Sequence, residues 1–243
     1  IGLRESIAEK VEFLYKTKVN PDTEITITPG GTYAIYSSLT AILQPGDEVI
    51  LFDPSYDCYA PSIVLAGGVP VRLSINPDGS YPFDALKHAI NAKTKMVVVN
   101  TPHNPLGLVF GRAQWAALSQ VLTDTSVIVL SDEVYEHMVF DGVKHQSMLT
   151  HEALREKCLV VSSFGKTYHN TGWKIGYVIA PEHLMKEIKN TNSLKMAEVV
   201  GGELAFIAAR IALQRACHDR RVVDGNIELA GSRRDIRGAH IDR

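Results

Sequence analysis

The sequence contains little cysteine and no excess of charge of either sign. Its 243 residues include three cysteines, 25 lysines and arginines, and 27 aspartates and glutamates, which give a formal net charge of −2. So few cysteines argue against a disulfide-stabilised scaffold and are typical of a reducing compartment, so we expect a cytoplasmic protein. The balanced charge provides no clear basic surface, so we expect no nucleic-acid partner.

Long apolar runs, targeting signals and metal motifs are also missing. No uninterrupted apolar run approaches the roughly 18 residues that a membrane-spanning helix needs, so we expect no membrane partner. The first residues, Ile1-Gly2-Leu3-Arg4-Glu5, include neither an initiator methionine nor a signal-peptide pattern, and we expect the chain to begin inside a longer protein. The histidines and cysteines show neither an HExxH pair nor zinc spacing, so we expect no metal.

Short apolar segments alternate with amphipathic ones along most of the chain. Continuous apolar strands separated by helices predict an α/β fold, with a mostly parallel sheet flanked by helices on both faces. Ligands of such sheets bind beyond the carboxyl ends of the strands. Helices are expected at 3–14, 33–43, after Tyr56 as far as Leu65, 83–90 and 112–122, and strands at 25–28, 48–52, 69–73, 95–100, 127–130, 159–162 and 175–179.

Two polar segments that follow expected strands could bind a ligand. Gly30-Gly31-Thr32 lies between a strand and a helix, where glycines and free N–H groups suit a phosphate, although a tight turn capped by Thr32 fits equally well. The segment from Asn100 to Gly107 carries Asn side chains that could bind polar ring substituents, or it is a plain strand-exit turn.

A third segment, Ser131 to Glu136, places carboxylates at the end of an apolar strand. Asp132 is the strongest candidate because a carboxylate that directly follows a buried strand needs a cationic or N–H partner. Glu133 and Glu136 are expected to face structural partners or solvent. Tyr135 could serve the site or could be a core aromatic.

The sharpest local signal is Ser163-Phe164-Gly165-Lys166-Thr167. Its Gly-Lys-Thr sequence suggests a P-loop, but that motif requires glycine where the chain has Val160. Its Ser-x-x-Lys spacing matches the serine β-lactamase signature, whose other two motifs are missing. The remaining interpretation is a lysine that forms a Schiff base with a carbonyl cofactor, because the preceding strand and Gly165 place Lys166 at the sheet edge that holds the other segments.

Taken in order, these segments resemble the fold-type I pyridoxal-phosphate (PLP) enzymes, specifically the class I/II aminotransferases. Within that family they look most like the methionine and kynurenine aminotransferase branch. The resemblance covers about residues 3–185 and implies the large domain of a fold-type I PLP-transferase. The segments that carry it are 28–35, 52–59, 100–107, 131–136 and 162–177.

The resemblance implies three catalytic residues. Lys166 would form a Schiff base with PLP and, once released, would move the proton between the substrate Cα and the cofactor C4′. Asp132 would pair with the pyridine nitrogen and keep it protonated, which makes the ring an electron sink. Tyr135 would hydrogen-bond the phenolic oxygen of the ring.

The resemblance also implies a larger set of residues that bind PLP. Asn104 would hydrogen-bond the phenolic oxygen, Asn100 would help to hold the ring, and Tyr56 would stack on its face. The phosphate would lie against the start of the second helix, with the Ser163 hydroxyl and the Lys174 cation completing its site. The full cofactor-binding set is Gly31, Thr32, Tyr56, Asn100, Asn104, Asp132, Tyr135, Ser163, Lys166 and Lys174.

The activity implied by the resemblance is transfer of an amino group from an L-amino acid, methionine-like or aromatic, to a 2-oxo acid. The expected partners are these amino-acid and 2-oxo-acid substrates and, in the full-length protein, a second copy in a homodimer. Two alternatives stay open. One is a PLP-dependent cysteine-conjugate carbon–sulfur β-lyase, and the other is a non-catalytic or truncated PLP-binding domain.

The two ends of the chain differ in how well they fit this family. Residues 1–188 are expected to form the PLP-binding large domain without its N-terminal segment. Residues 189–243 are unmatched, helical at first and then irregular, and we expect them to be a truncated or frame-altered replacement for a small domain that is absent or incomplete. Arg234 or Arg237 could clamp the substrate carboxylate, but a solvated basic tail is the interpretation that we favour.

Overall fold

The computed structural model describes residues 2–190 and the backbone of two short paired strands, Val222–Val223 and Asn226–Ile227. One sheet of seven strands organises the first range. Its strands are β1 (Ile25–Thr28), β2 (Glu48–Asp53), β3 (Val69–Ser74), β4 (Thr94–Asn100), β5 (Ile128–Asp132), β6 (Cys158–Ser163) and β7 (Gly176–Ile179). The helices are α1 (Gly2–Tyr15), α2 (Gly31–Ile42), α3 (Tyr59–Leu65), α4 (Phe83–Ala89), α5 (Arg112–Val121), α6 (Glu152–Arg155), α7 (Phe164–Thr167) and α8 (Glu182–Asn190), with 3-10 turns at Met148–Thr150 and Thr171–Trp173.

The strands lie in the order β1-β7-β6-β5-β4-β2-β3. Strands β2 to β6 pair in parallel, whereas β7 pairs antiparallel with both β6 and β1. Because β1 and β6 both oppose β7, every strand except β7 points the same way. The carboxyl ends of six strands and the start of β7 therefore meet at one edge of the sheet, and the mostly parallel sheet expected from the sequence is confirmed.

Each face of the sheet is covered by helices, as the continuous apolar strands predict. Alternate residues of one strand enter opposite cores, as Ile50 and Val97 do on one face and Val49 and Met96 on the other. The first core includes apolar side chains of α1, α4 and α5, and the second includes those of α2, α3 and α8. A strand buried on both faces cannot alternate polar and apolar residues, which explains runs such as Val97-Val98-Val99.

The structure differs from the sequence prediction at the ends of elements, in three additional helices and in the direction of one strand. Helix α2 begins at Gly31, two residues before the expected start, because Gly30 turns the chain directly from β1 into the helix. Three helices were not expected, the four-residue helices α6 and α7 and the nine-residue helix α8, and no sequence pattern indicated that β7 is reversed. The expected tail helix and the side chains of Arg234 and Arg237 lie outside the described residues. Within the described part of the chain, none of the helices has the length and apolar character needed to span a membrane.

Candidate active site

The candidate site is a cavity of about 230 Å³ at the sheet edge where the carboxyl ends of the parallel strands meet. Five chain segments contribute to it, and each follows a strand or ends one. Nine of the ten residues that the resemblance assigns to PLP line this cavity. The lining residues are Gly31, Thr32, Ile35, Tyr56, Asn100, Asn104, Asp132, Val134, Tyr135, Ser163 and Lys166.

The last residue of β5, Asp132, places a buried carboxylate at the cavity with 3% of its surface exposed. Its Oδ2 accepts a hydrogen bond of 2.6 Å from the Tyr59 hydroxyl, and its Oδ1 accepts one of 3.3 Å from the backbone N–H of Val134. Burial raises the pKa of Asp132 from 3.8 to about 6, against the lowering effect of these two donors. Among the residues that the structure describes, no lysine or arginine forms an ion pair with this carboxylate.

The loop after β4 is tied to the end of β5 by hydrogen bonds of the Asn100 side chain. Asn100 Nδ2 donates to the carbonyl oxygen of Asp132 at 3.0 Å, and Asn100 Oδ1 accepts from the backbone N–H of Asn104 at 2.7 Å. The backbone N–H of Thr101 also donates to the Asp132 carbonyl, at 2.9 Å. These bonds occupy Asn100 with the protein backbone, and they hold Asn104 and Asp132 at the same cavity.

A close approach of glycines shapes the end of the cavity near α2. A Cβ atom on Gly176 would lie 2.5 Å from the carbonyl carbon of Gly30, so only glycine fits where β7 crosses the start of α2. Gly30 itself has φ of +85°, a conformation that side chains of L-residues rarely adopt. A Cβ on Gly31 would lie 3.1 Å from Val134 and 3.5 Å from the Cβ of Ser163. The chain thus brings the N–H groups at the start of α2 beside Ser163, an arrangement that suits a phosphate.

Lys166 lies on α7, immediately after β6, and its side chain is exposed at the open cavity. Its Nζ is 5.3 Å from the centroid of the Tyr135 ring, a cation–π contact with a second lining residue. Tyr135 is thus partly exposed at the cavity and is not a core aromatic. Tyr56 lines the cavity as well and packs its ring edge-to-face on Tyr59, with the centroids 5.7 Å apart.

Lys174 is the one residue of the expected set that does not line the cavity, and its side chain is exposed. It has a left-handed backbone with φ of +50°, and its Cα would lie 3.9 Å from a Cβ placed on Gly30. The backbone of Lys174 therefore passes beside the turn into α2. A phosphate contact by its ammonium group remains a prediction.

Glu133 and Glu136 are buried and face structural partners. Glu133 accepts hydrogen bonds from the Ser131 hydroxyl and the backbone N–H of Met148, both at 2.9 Å, and lies 2.9 Å from Nε2 of His145. Glu136 forms a buried ion pair with Lys10 of α1.

Glu136 also accepts hydrogen bonds from the hydroxyls of Tyr15 and Ser162. Neither Glu133 nor Glu136 lines the cavity described above, so Asp132 is the carboxylate of this loop that does.

Tyr59 does not belong to the PLP-binding set expected from the sequence. Tyr59 does not line the cavity, but its hydroxyl contacts the carboxylate of Asp132 directly. A signal was present in the chain. Tyr56 lies three residues before Tyr59 in the turn that leads into α3, where the backbone N–H of Tyr59 donates to the Tyr56 carbonyl at 3.1 Å. This turn brings the two rings together, so a residue three positions after Tyr56 lies close to the site.

The cavity fits PLP on two observations of the protein itself. Asp132 is a fully buried carboxylate without a cationic partner among the described residues, and a protonated pyridine nitrogen would supply one. The glycine-lined start of α2 and the Ser163 side chain form a cradle that a Cβ at Gly31 would partly fill. The cavity thus offers one end for a cation and one end for an anion.

The chain matches the model of the family described as aminotransferase class I and II over residues 2–221. Among curated proteins, it is 47% identical over 193 residues to a methionine aminotransferase of Escherichia coli strain K12, covering 79% of this chain and 50% of that protein. It is 35% identical over 187 residues to kynurenine–oxoglutarate transaminase 1 of Homo sapiens, covering 72% of this chain and 44% of that protein.

Solved structures give the same result. The structure of an Escherichia coli protein identified as a methionine aminotransferase superposes with a TM-score of 0.82 at 40% identity, covering 90% of this chain and 57% of that chain. An aromatic aminotransferase from Pyrococcus horikoshii superposes with a TM-score of 0.80 at 31% identity, covering 90% of this chain and 58% of that chain. The chain spans about half the length of the curated relatives that it matches.

Proposed function

The chain belongs to the aminotransferase class I and II family, and from that premise we propose that it acts as a PLP-dependent aminotransferase. The proposed reaction moves an amino group from an L-amino acid to a 2-oxo acid. One observation carries the proposal: a single cavity collects Lys166, the buried carboxylate of Asp132 and a glycine-lined helix start from separate segments of the chain.

In this proposal, the two ends of PLP bind at the two ends of the cavity. The N–H groups of Gly31 and Thr32 at the start of α2, with the Ser163 hydroxyl and Lys174, hold the phosphate. Asp132 pairs with the pyridine nitrogen and keeps it protonated. When bound, PLP supplies an electron sink that weakens the Cα–H bond of the substrate.

The remaining roles belong to side chains at the middle of the cavity. The Nζ atom of Lys166 would take the proton from the substrate Cα and give it up at the C4′ carbon of the cofactor, which requires its amino group to be free at that moment. Tyr135 and Asn104 hydrogen-bond the phenolic oxygen and fix the tilt of the ring. Tyr56 stacks on the ring face, where an aromatic pair adds about 0.5–1.5 kcal/mol to the burial of the ring. Asn100 keeps Asn104 and Asp132 in place.

Methionine is the amino donor that we propose first, and aromatic amino acids come second. This order follows the relatives, since the chain is 47% identical to a methionine aminotransferase and 35% identical to a kynurenine transaminase. The described cavity holds the cofactor end of the site. Substrate specificity therefore also depends on parts of the protein beyond residues 2–190.

We further propose a cytoplasmic protein that works as a homodimer in its full-length form, without a nucleic-acid or membrane partner. Family membership supports the dimer, and the few cysteines support the compartment. The net charge of −2 supports the absence of a nucleic-acid partner, and the lack of long apolar runs supports that of a membrane partner. We also propose that residues 1–188 form the PLP-binding domain and that the tail begins at residue 189.

The visible absorption spectrum of the chain mixed with PLP tests the proposal. The unaltered chain and a Lys93→Ala control, which removes an exposed lysine outside the cavity, should shift the PLP absorption band, and Lys166→Ala should not. L-methionine added without an acceptor should then release its 2-oxo acid, at most one molecule per chain. Continuous release of ammonia from a cysteine conjugate would instead identify the β-lyase. A spectrum that does not depend on Lys166 would overturn the proposal for this chain.

A further inference from the structure

Tyr59 contacts two residues of the cavity without lining it, and the proposed function gives it no role. It is the first residue of α3 and has 2% of its surface exposed. Its hydroxyl donates to Asp132 Oδ2 at 2.6 Å, across 73 positions of sequence. Its ring packs edge-to-face on Tyr56, with an interplanar angle of 82°, and its backbone N–H donates to the Tyr56 carbonyl at 3.1 Å. Tyr59 therefore joins the residue at one end of the expected PLP ring to the residue on its face.

The carboxylate of Asp132 depends on Tyr59 for its orientation. Its other donor is the backbone N–H of Val134, at the longer distance of 3.3 Å, and within residues 2–190 it has no cationic partner. A carboxylate with one weak donor can rotate about its terminal bond or take up a proton. With a short bond on Oδ2, it has one defined orientation and keeps accepting capacity for a further donor.

We propose that Tyr59 is a positioning residue, which holds the side chain of Asp132 as an oriented carboxylate for the pyridine nitrogen of PLP. The inference rests on the proposed function, because it assigns the second partner of Asp132 to that cofactor. It goes further by identifying a residue outside the cavity that sets how well the cofactor is held.

The charges around Asp132 give the direction of the expected effect. Burial raises the pKa of Asp132 to about 6, the Tyr59 and Val134 hydrogen bonds lower it, and the charge of Glu133 raises it. Burial and the charge of Asp132 likewise raise the pKa values of Tyr59 and Cys58, which both lie at the start of α3. The other titratable groups at the cavity are Tyr56, Tyr135 and Lys166.

Removing the Tyr59 hydroxyl should therefore raise the pKa of Asp132 further. The carboxylate is the form that binds a protonated pyridine. As the pH is lowered, the variant should therefore lose PLP affinity at a higher pH than the unaltered chain does.

The test compares Tyr59→Phe with Tyr81→Phe in the full chain. Tyr81 is a matched control because its hydroxyl is also buried, has no hydrogen-bond partner within the described residues, and lies away from the cavity. The dissociation constant of PLP is measured between pH 5 and pH 8, with near-UV circular dichroism to monitor packing. We expect Tyr81→Phe to follow the unaltered chain. In Tyr59→Phe, PLP should bind about tenfold more weakly near pH 6, with the midpoint about one pH unit higher.

The possible outcomes distinguish the role of Tyr59 from the proposed function. If the Tyr59→Phe and unaltered curves superimpose while PLP binding still depends on Lys166, the inference is wrong and the proposed function stands. If the unaltered chain does not bind PLP, the proposed function fails and the inference fails with it.

If Tyr59→Phe does not fold, the double variant Tyr59→Phe/Asp132→Asn decides. Folding of the double variant supports a role through Asp132, since it removes the carboxylate that needs a donor. Failure of both variants to fold overturns the inference, because Tyr59 is then a packing residue.

Discussion

Asp132 and Glu136 are two buried carboxylates only four residues apart, and their surroundings act on them in opposite directions. Each has 3% of its surface exposed. Burial alone raises the pKa of both. At Asp132 that effect prevails, whereas at Glu136 the nearby cations and hydrogen-bond donors outweigh it and hold the pKa far below its usual range.

The protein itself supplies Glu136 with an ion-pair partner and hydrogen-bond donors. Lys10 supplies the opposite charge, the hydroxyls of Tyr15 and Ser162 donate hydrogen bonds, and Nε2 of His137 lies 3.9 Å away. Lys10 also donates to the Tyr177 hydroxyl at 3.0 Å. This network joins α1 to the loop after β5, to β6 and to β7, so it fixes segments next to the candidate site.

Asp132 lacks such a cation in the described part of the chain and faces the cavity instead. Burying a carboxylate without a full set of partners lowers the stability of the fold. Such groups are typical of functional sites, where a ligand supplies the missing partner. The comparison indicates that Glu136 serves the fold and that Asp132 serves a ligand. Four experiments test this distinction.

Lys10→Met should destabilise the chain strongly, because it leaves Glu136 buried and charged without its ion-pair partner. Breaking a buried ion pair in this way costs about 3–5 kcal/mol of unfolding free energy. Urea denaturation measures the loss. The control is Lys10→Met/Glu136→Gln, which removes the stranded charge and should recover much of the stability. A loss below about 1 kcal/mol for the single variant would show that the pair is not important for the fold.

Asp132→Asn should weaken PLP binding about 10- to 100-fold while leaving the unfolding free energy unchanged or higher. A hydrogen bond to a charged group contributes about 1.5–3 kcal/mol, and the folded protein also loses an unpaired buried charge. Equilibrium dialysis with PLP and urea denaturation give the two values. If the variant is destabilised as much as Lys10→Met and binds PLP normally, the roles assigned to the two carboxylates are the wrong way round.

The pH dependence of stability should have opposite signs at the two carboxylates. Because the pKa of Asp132 is raised in the folded protein, protonated Asp132 stabilises the fold. This stabilisation is complete below the ordinary pKa of 3.8 and is lost as the pH rises through about 6. The lowered pKa of Glu136 means that its contribution is complete above its ordinary value of 4.5 and is lost as the pH falls.

Unfolding free energies of the unaltered chain, Asp132→Asn and Glu136→Gln measure these slopes. Relative to Asp132→Asn, the unaltered chain should lose stability from pH 4 to pH 7. Relative to Glu136→Gln, it should lose stability from pH 5 to pH 3. Each slope is at most about 1.4 kcal/mol per pH unit. Slopes of the same sign would contradict the comparison.

The smallest effect separates two neighbouring serines. Ser162 donates to Glu136 at 2.9 Å, whereas Ser163 lines the cavity. Ser162→Ala should therefore cost about 1 kcal/mol or more of unfolding free energy and leave PLP binding unchanged. Ser163→Ala should weaken PLP binding and leave stability within about 0.5 kcal/mol. A reversed pattern would assign these side chains to the opposite regions.

The sequence predicted the sheet and most of the cavity because both depend on local patterns. Apolar runs such as Val97-Val98-Val99 identify buried strands, and parallel strands bring the residues that follow them to one edge. The partners of buried charges were not predictable, because Lys10 and Glu136 are 126 positions apart and periodicity reports burial without identifying partners. The hydrogen bond between Tyr59 and Asp132 was not predictable either, because these residues are 73 positions apart. The phosphate contact expected of Lys174 stays a prediction, because its side chain is exposed and does not line the cavity.

The central claim is that this cavity binds PLP through Lys166, and covalent trapping tests it most directly. The full chain is incubated with PLP, reduced with borohydride and digested, and the peptides are analysed by mass spectrometry. We expect a pyridoxyl group on the peptide that contains Lys166, and no such modification of that segment in Lys166→Ala. Modification spread over exposed lysines such as Lys93, with no preference for Lys166, would contradict it.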